Sequence, residues 1–313
     1  MELEFIRWLR EHVPPDPRAK LGLRDDAALL SLAGNPDIVV TTDLLTDGVD
    51  FRVGTDDLPR IGRQALGANL SDLAAMAAKP LAAFISVALP RSGAAGNGPL
   101  EMAIGLYEGL LPLASEFDTT IAGGDTNTYD GPLVISVTAI GQPLKCGALT
   151  RSGGHPGDWL LVTGALGGSL LGHMFDFTPR VREAILLHER YQLAAGIDIS
   201  DGLALDASRI AEASGCGALI FMDRVPVSSD AMELAKRDGA DNHHAAALHH
   251  ALGDGQDFEL LFSVNPTTAQ AILRDRPVDC QITHVGELVA EPGLWQQHSN
   301  GQRKPLEATG WRH

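Results

Sequence analysis

Short β-branched runs alternate along this chain with longer Ala- and Leu-rich stretches, and glycine or proline stands at many of the joints. Ile38 to Val40 reads as a buried strand bounded by Pro36 and Gly48, and it gives way at once to Thr41-Thr42-Asp43. A strand that stops there would deliver two hydroxyls and a carboxylate to the rim of a sheet, where side chains can face a cleft. Leu58 to Ala78 is patterned as a long helix ended by Lys79-Pro80, which puts Asp72 on a helix and not at a strand tip. Leu81 to Leu89 is the next strand, Pro90 to Pro99 a loop, and Leu100 to Phe117 a second long helix. Thr119 to Ala122 reads as a strand that turns tightly at Gly123-Gly124-Asp125-Thr126, and Leu133 to Ile140 as a strand of Val, Ile and Thr.

A glycine- and proline-rich connector, Gly147 to Gly157, then divides the chain, predicting one domain over 1–147 and another over 148–313. The length of 313 residues agrees, because a single core stops growing near that size. In the second half, Trp159 to Thr163 is a strand that passes Gly164, Gly167 and Gly168 into a helix. Gly196 to Ser200 is another, meeting Asp201-Gly202 and turning into a helix over Leu203 to Ser214. Gly217 to Phe221, Phe258 to Val264 and Thr283 to Val289 follow as strands, the last of them final, and Glu2 to His12 reads as a short amphipathic helix. Interleaved strands and helices in both halves make the fold class α/β (α+β), with a mixed α/β first half built around one sheet.

Charge narrows the function. Forty acidic against 24 basic residues give a net charge of −16, which excludes the basic face of a nucleic-acid binder. A phosphate ligand would need a divalent cation to carry the positive charge. Cys146, Cys216 and Cys280 are far apart and form no CxxC, so no disulfide framework or thiolate zinc site is expected. Met1 to His12 lacks a basic and then apolar signal pattern, and no apolar run reaches membrane-spanning length, so a cytoplasmic setting is expected.

The hydroxyl-then-acid pair recurs as Thr42-Asp43, Ser71-Asp72 and Ser200-Asp201. So many hard oxygen donors suit Mg²⁺ and suit zinc or copper poorly. Each aspartate alone is equally a helix cap or turn former, Asp201 in particular, but like charges gathered at strand ends repel unless cations intervene. GxxxxGK[ST], a strand-to-helix GxGxxG and the protein-kinase motifs are all absent, so phosphate chemistry here would be metal-centred. Arg151, among glycines, is either a phosphate clamp or a surface arginine, and Trp311 either stacks on a heterocycle or fills an apolar notch. His243, His244, His249 and His250 read as a solvated helix surface.

Seven short motifs occur in the order found in the thiamine-monophosphate kinase family: Arg24-Asp25-Asp26-Ala27-Ala28, Thr41-Thr42-Asp43, Asn69-Leu70-Ser71-Asp72-Leu73-Ala74-Ala75-Met76, Gly123-Gly124-Asp125-Thr126, Thr150-Arg151-Ser152-Gly153, Asp198-Ile199-Ser200-Asp201-Gly202-Leu203 and Asp257-Phe258-Glu259-Leu260. Together they cover nearly the whole chain, which thereby resembles the superfamily of aminoimidazole ribonucleotide synthetase and selenophosphate synthetase. The resemblance implies an N-terminal α/β domain that forms a homodimer through its sheet, and a C-terminal α/β domain completing the site. It implies ATP as co-substrate, several Mg²⁺ ions, and thiamine monophosphate as the acceptor. Carried over by position, it implies metal ligands at Asp26, Thr41, Thr42, Asp43, Asp72, Asp125, Asp198 and Asp201. It implies ATP contacts at Gly124, Asp125, Arg151, Ser200 and Tyr107, and substrate contacts at Asp50, Gln256 and Trp311. No general base is implied; Asp43, Asp125 and Arg151 would stabilise charge. Asp50 stands where the family usually has His, Gln256 where it has Glu, and Arg24 where a small residue is common. These departures leave open a relative acting on another acceptor, or a nucleotide-binding relative without turnover.

Overall fold

The computed structural model describes residues 19–21, 25–31 and 36–311; the helix expected over Glu2 to His12 lies outside them, as does Arg24. The first half contains β1 (Ala19–Leu21), β2 (Ala28–Leu30), β3 (Ile38–Thr46), α1 (Leu58–Ala75), β4 (Lys79–Pro90), α2 (Pro99–Glu116), β5 (Thr120–Tyr129) and β6 (Val134–Gln142). Its strands lie in the order β1-β2-β3-β6-β4-β5, antiparallel throughout except for the parallel pair β4 and β5.

The second half continues with β7 (Trp159–Thr163), the one-turn α3 (His173–Asp176), α4 (Val181–Tyr191), β8 (Ala195–Asp198), α5 (Leu203–Ala213), β9 (Gly217–Phe221), α6 (Ser229–Arg237), α7 (His243–Gly253), β10 (Leu260–Val264), α8 (Pro266–Asp275), β11 (Ile282–Val289), β12 (Gly293–Gln297) and β13 (Arg303–Pro305). Its sheet runs β13-β12-β9-β11-β7-β10-β8, again mixed through one parallel pair, β12 with β9.

Several expectations change here. β3 does not stop at Val40: Thr41, Thr42 and Asp43 pair with Ala139, Thr138 and Val137 of β6, so the polar cluster is mid-strand. Threonine is a good strand residue, and an antiparallel neighbour satisfies its backbone whatever its polarity. Gly123-Gly124-Asp125-Thr126 is likewise no turn but the middle of β5, an edge strand with a register shift beside Gly123. The helix expected after Gly167 and Gly168 is a 3-10 turn followed by the one-turn α3. Two strands, β12 and β13, follow the one expected to be last.

Helix α1 organises the packing. It lies against β3, β4 and β6 of its own sheet and reaches α3, α4 and β8 of the second half. Leu66, Leu70 and Leu73 are fully buried, each contributing about 2 kcal/mol by burial. The same apolar cluster takes in Leu149 of the connector and Leu161, Leu193 and Phe262 from beyond it, so one core spans both halves. α1 crosses α2 closely: a Cβ on Gly62 would sit 1.9 Å from the Leu106 carbonyl oxygen, and one on Gly109 1.7 Å from that of Pro59.

The helices cover only one face of the first sheet. On β4, Ala83, Ile85, Val87 and Leu89 are buried beneath them, while Leu81, Phe84 and Ser86 are exposed on the opposite face beside Leu44 of β3. Among the described residues no helix is long and apolar enough to cross a membrane.

The helix crossing generates a test. Gly→Ala ordinarily stabilises a helix by up to about 1 kcal/mol. Gly62→Ala should instead destabilise this protein by about 1–3 kcal/mol, because the new methyl meets backbone that cannot rotate away. Denaturant titration of the two proteins checks the sign.

Candidate functional site

Three segments deliver carboxylates to one place. α1 carries Asp72 in its last turn, and the Thr41 hydroxyl of β3 donates a hydrogen bond to that carboxylate. β8 ends with Asp198, whose Oδ2 accepts from the Ser71 hydroxyl at 2.7 Å and whose buried Oδ1 has no protein partner among the described residues. Asp26 precedes β2 and is gripped by Arg151, through Nε at 3.0 Å and through Nη2 on its other oxygen. Asp26, Asp72 and Asp198 each present an oxygen within 4.8 Å of the others. Asp43 lies two residues beyond Thr41 on β3, so its side chain leaves the same face of the sheet.

Their electrostatics follow from that crowding. Burial comes first in raising the Asp72 carboxyl well above the usual range, and the charges of Asp43, Asp198 and Asp26 add to it. Asp198 is raised in the same way, by burial and then by Asp26. Asp43 is pushed up to about 6 by burial and by Asp50. Hard oxygen donors, one buried and unpartnered, fit a Mg²⁺ ion and leave the carboxylates poorly accommodated without one.

Beside this cluster lies a cavity of about 190 Å³, lined by Asp50, Gln64, Ser200, Gln256, Phe258 and Trp311 as well as by Asp43, Asp72 and Asp198. A larger cavity, about 530 Å³ between α8 and β11, has none of these groups. The strap carrying Gln256 and Phe258 is tied to the end of β8: Gln256 N–H donates to the Ser200 carbonyl at 2.7 Å and Phe258 N–H to that of Ile199 at 2.9 Å. Both residues adopt left-handed backbone, with φ of 54° and 52°, which a non-glycine side chain keeps only where its surroundings impose it. Between them Asp257 is buried and accepts from the Gly167 N–H at 2.8 Å. Trp311 is held by its own N–H on the Asp201 carbonyl, at 2.9 Å.

Asp50 turns partly away from the cavity it lines. Its Oδ2 accepts from the Thr46 N–H at 2.7 Å and from the Thr46 hydroxyl at 3.3 Å. The Asp201 side chain does not cap α5 but pairs with Arg209 at 2.5 Å; the N–H groups of Asp201 and Gly202, just ahead of α5, donate to Asp206.

Other expected site residues stand apart within this chain. Asp125 is paired through Ser86 and Ser136 to Leu44, a row that leaves the bare face of the sheet, opposite to Asp43. Gly124 is beside it on β5, and Thr42 faces that side too, bonded to Thr138 at 3.0 Å. Tyr107 is on α2, half-buried against the apolar core. The sequence reading passed over Gln64, Phe258, Asp206 and Arg209. Gln64 was detectable, since it precedes Ala68 and Asp72 by one and two steps of four along the helix, and all three line the cavity.

Comparison with known proteins agrees with this arrangement. Residues 24–142 match the family model for AIR synthase related protein, N-terminal domain, and residues 149–295 that for AIR synthase related protein, C-terminal domain. A thiamine-monophosphate kinase of Rhodopirellula baltica is 39% identical over 323 aligned positions, covering 100% of this chain and 97% of the relative. The crystal structure of thiamine-monophosphate kinase from Stenotrophomonas maltophilia K279a is 31% identical with a TM-score of 0.74, covering 96% of each chain. A structure described as AaThiL complexed with AMPPCP and TMP shares the fold, with a TM-score of 0.78 at 24% identity over 100% of this chain and 96% of that one.

The raised carboxyls predict how stability varies with pH. Asp43 is held at about 6, Asp206 at about 7 and Asp257 at about 8, each chiefly by burial. The folded chain therefore keeps protons that the unfolded chain has already released above about pH 4. Stability should fall as pH climbs from about 5 to about 8 in metal-free buffer. Added Mg²⁺ should raise the thermal midpoint more at about pH 8 than at about pH 5, since the ion competes with protons for the same oxygens. Scanning calorimetry with and without Mg²⁺ reads both trends.

Proposed function

This chain belongs to the thiamine-monophosphate kinase family of the AIR synthase related proteins, and on that premise we infer that it transfers the γ-phosphoryl group of ATP to thiamine monophosphate, forming thiamine diphosphate. The observation that supports this most directly is the approach of Asp26, Asp72 and Asp198 to one another beside a cavity that also holds Gln256 and Trp311. The acceptor is a phosphate oxygen already ionised near neutral pH, so in-line attack on the γ-phosphorus needs positioning and charge neutralisation and no general base.

In this reading Asp26, Asp72 and Asp198 hold Mg²⁺, with Asp43 and Asp201 at the edges of the set. Bound Mg²⁺ would neutralise the transferring phosphates and orient them. The Thr41 hydroxyl fixes the rotamer of Asp72, and Ser71 does the same for Asp198. Arg151, already fixed by Asp26, is our candidate for an ATP phosphate contact, with Ser200 close by. Trp311 and Gln256 meet the substrate ring. Because one oxygen of Asp50 is spent on Thr46, its charge is partly withheld from a phosphate nearby, which makes the departure from His tolerable.

We further propose that the bare face carrying Leu44, Leu81 and Phe84 packs against a second copy, and that Gly124, Asp125 and Thr42 act at that interface, with Tyr107 as the remaining ATP contact. An antiparallel sheet tolerates one wet face, but large apolar side chains there favour a partner. The domain boundary falls between residues 147 and 148, and we assign the protein to the cytoplasm, in keeping with three free thiols.

Protein incubated with ATP, Mg²⁺ and thiamine monophosphate should release ADP and form thiamine diphosphate by chromatography; folded enzyme that yields none refutes the substrate. Asp43→Asn and Asp72→Asn should each lower kcat by at least about 10²-fold while circular dichroism stays unchanged. By light scattering the chain should have twice its monomer mass, and Phe84→Glu should halve it. A wild-type monomer would remove the interface.

A further inference from the structure

Arg209 stands between two carboxylates at the border of the acid-rich site. From α5 it reaches Asp201 through Nη2 at 2.5 Å and Asp206 through Nη1 at 2.7 Å. The two partners are unlike. Asp206 is fully buried, and its other oxygen accepts from the N–H groups of Asp201 and Gly202, both at 3.0 Å, so it is committed to the entry of its own helix. Asp201 keeps 21% of its side chain exposed and lines the cavity that Asp43, Asp72 and Asp198 also line. One end of the guanidinium is therefore anchored, and the other is exchangeable.

The exchangeable end faces the place where a cation is called for. On the same cavity, Asp198 Oδ1 is buried without a protein partner among the described residues, an acceptor left over for an ion. A guanidinium and a divalent ion cannot share one carboxylate at contact distance without repelling each other. Asp206 allows Arg209 to yield, because a guanidinium has five N–H donors and Nη1 can stay where it is while Nη2 swings away. Space for that swing exists: Arg209 also lines a second cavity of about 460 Å³, beside Arg151 and Ser152, which shares no lining residue with the first.

A free ion and an ion carried by a polyphosphate meet this arginine differently. Mg²⁺ alone only adds positive charge beside it, whereas Mg²⁺ on ATP brings negative phosphate charge that the guanidinium attracts. We propose that Arg209 is a positioning residue that gates Asp201: it occupies the carboxylate as a substitute cation, disfavours free Mg²⁺ there, and yields to the ion that arrives with the nucleotide while Asp206 keeps its other arm. This rests on the kinase reading above and adds a residue and an order of loading to it. Asp201 then has a counter-charge at every stage, first from the chain and afterwards from the metal.

The test reads binding and not turnover. Mn²⁺ serves as the probe, its free concentration followed by electron paramagnetic resonance in protein without nucleotide. Arg209→Gln keeps a donor for Asp206 and loses the charge; it should bind Mn²⁺ about 10-fold more tightly than wild type, the scale on which a neighbouring arginine opposes proton binding to a carboxylate. Arg209→Lys keeps the charge and should stay near wild type. Affinity for Mg-ATP, titrated calorimetrically without acceptor, should not rise in Arg209→Gln. Unchanged or weaker Mn²⁺ binding in Arg209→Gln overturns the proposal, as does equal tightening toward Mn²⁺ and Mg-ATP, or equal tightening in the two variants. Loss of fold lowers affinity and cannot imitate the expected gain. Should neither variant fold, a crystal structure of the wild-type protein with Mn²⁺ and ATP decides: an ion on Asp201 with Arg209 left on Asp206 alone supports the exchange, and an intact Arg209–Asp201 pair overturns it. Wild-type protein that binds Mn²⁺ yet forms no thiamine diphosphate refutes the acceptor and leaves the exchange standing; one that binds no Mn²⁺ removes the metal centre and the exchange together.

Discussion

Like charges in a low-dielectric pocket cannot stay close and ionised without a counter-charge, and this site is built around that constraint. Asp26, Asp72 and Asp198 come from a loop, a helix and a strand far apart in sequence, yet their oxygens share a space a few ångströms wide. Among the described residues Arg151 is the cation bonded to the cluster, and it is spent on Asp26. The remaining repulsion favours proton uptake by Asp72 and Asp198 in the isolated chain and would be met by metal in a working enzyme. Fold stability and ligand affinity are therefore coupled through the same oxygens.

The scaffold bears that repulsion because α1 is anchored on all sides. Its apolar face supplies much of the first core, its glycines let α2 approach to backbone contact, and its far end touches β8. Thr41 and Ser71 each donate to an aspartate from a neighbouring segment, so the acids are oriented before any ligand arrives. Asp257 plays a comparable part at the opposite wall, pinning the strap between two residues in left-handed backbone.

Much of the order of elements was legible from periodicity, and the acids were legible as a recurring hydroxyl-then-acid pair. What periodicity could not convey was where pairing ends. Thr41 to Asp43 looked like a strand terminus because polar residues replace apolar ones there, but β6 carries complementary backbone past that point. The glycines of β5 looked like a turn for a similar reason, since an edge strand needs no side chains to hold its partner. Which face an aspartate leaves is a matter of parity within a strand, so Asp43 and Asp125 diverge to opposite sides of one sheet. Asp50 was readable as a departure from its family, whereas its turn toward Thr46 was not, because that depends on the conformation of a short loop.

Since a single helix belongs at once to the core of one sheet and to the edge of the other, the two halves cannot swing apart about the connector without tearing a continuous apolar seam. Entry and exit of ligands must then be managed by local rearrangements such as rotamer changes, ion exchange and the loosening of short segments at the mouth. Turnover in such an architecture would be paced by dehydration and release of ions and product, and not by a clamshell cycle.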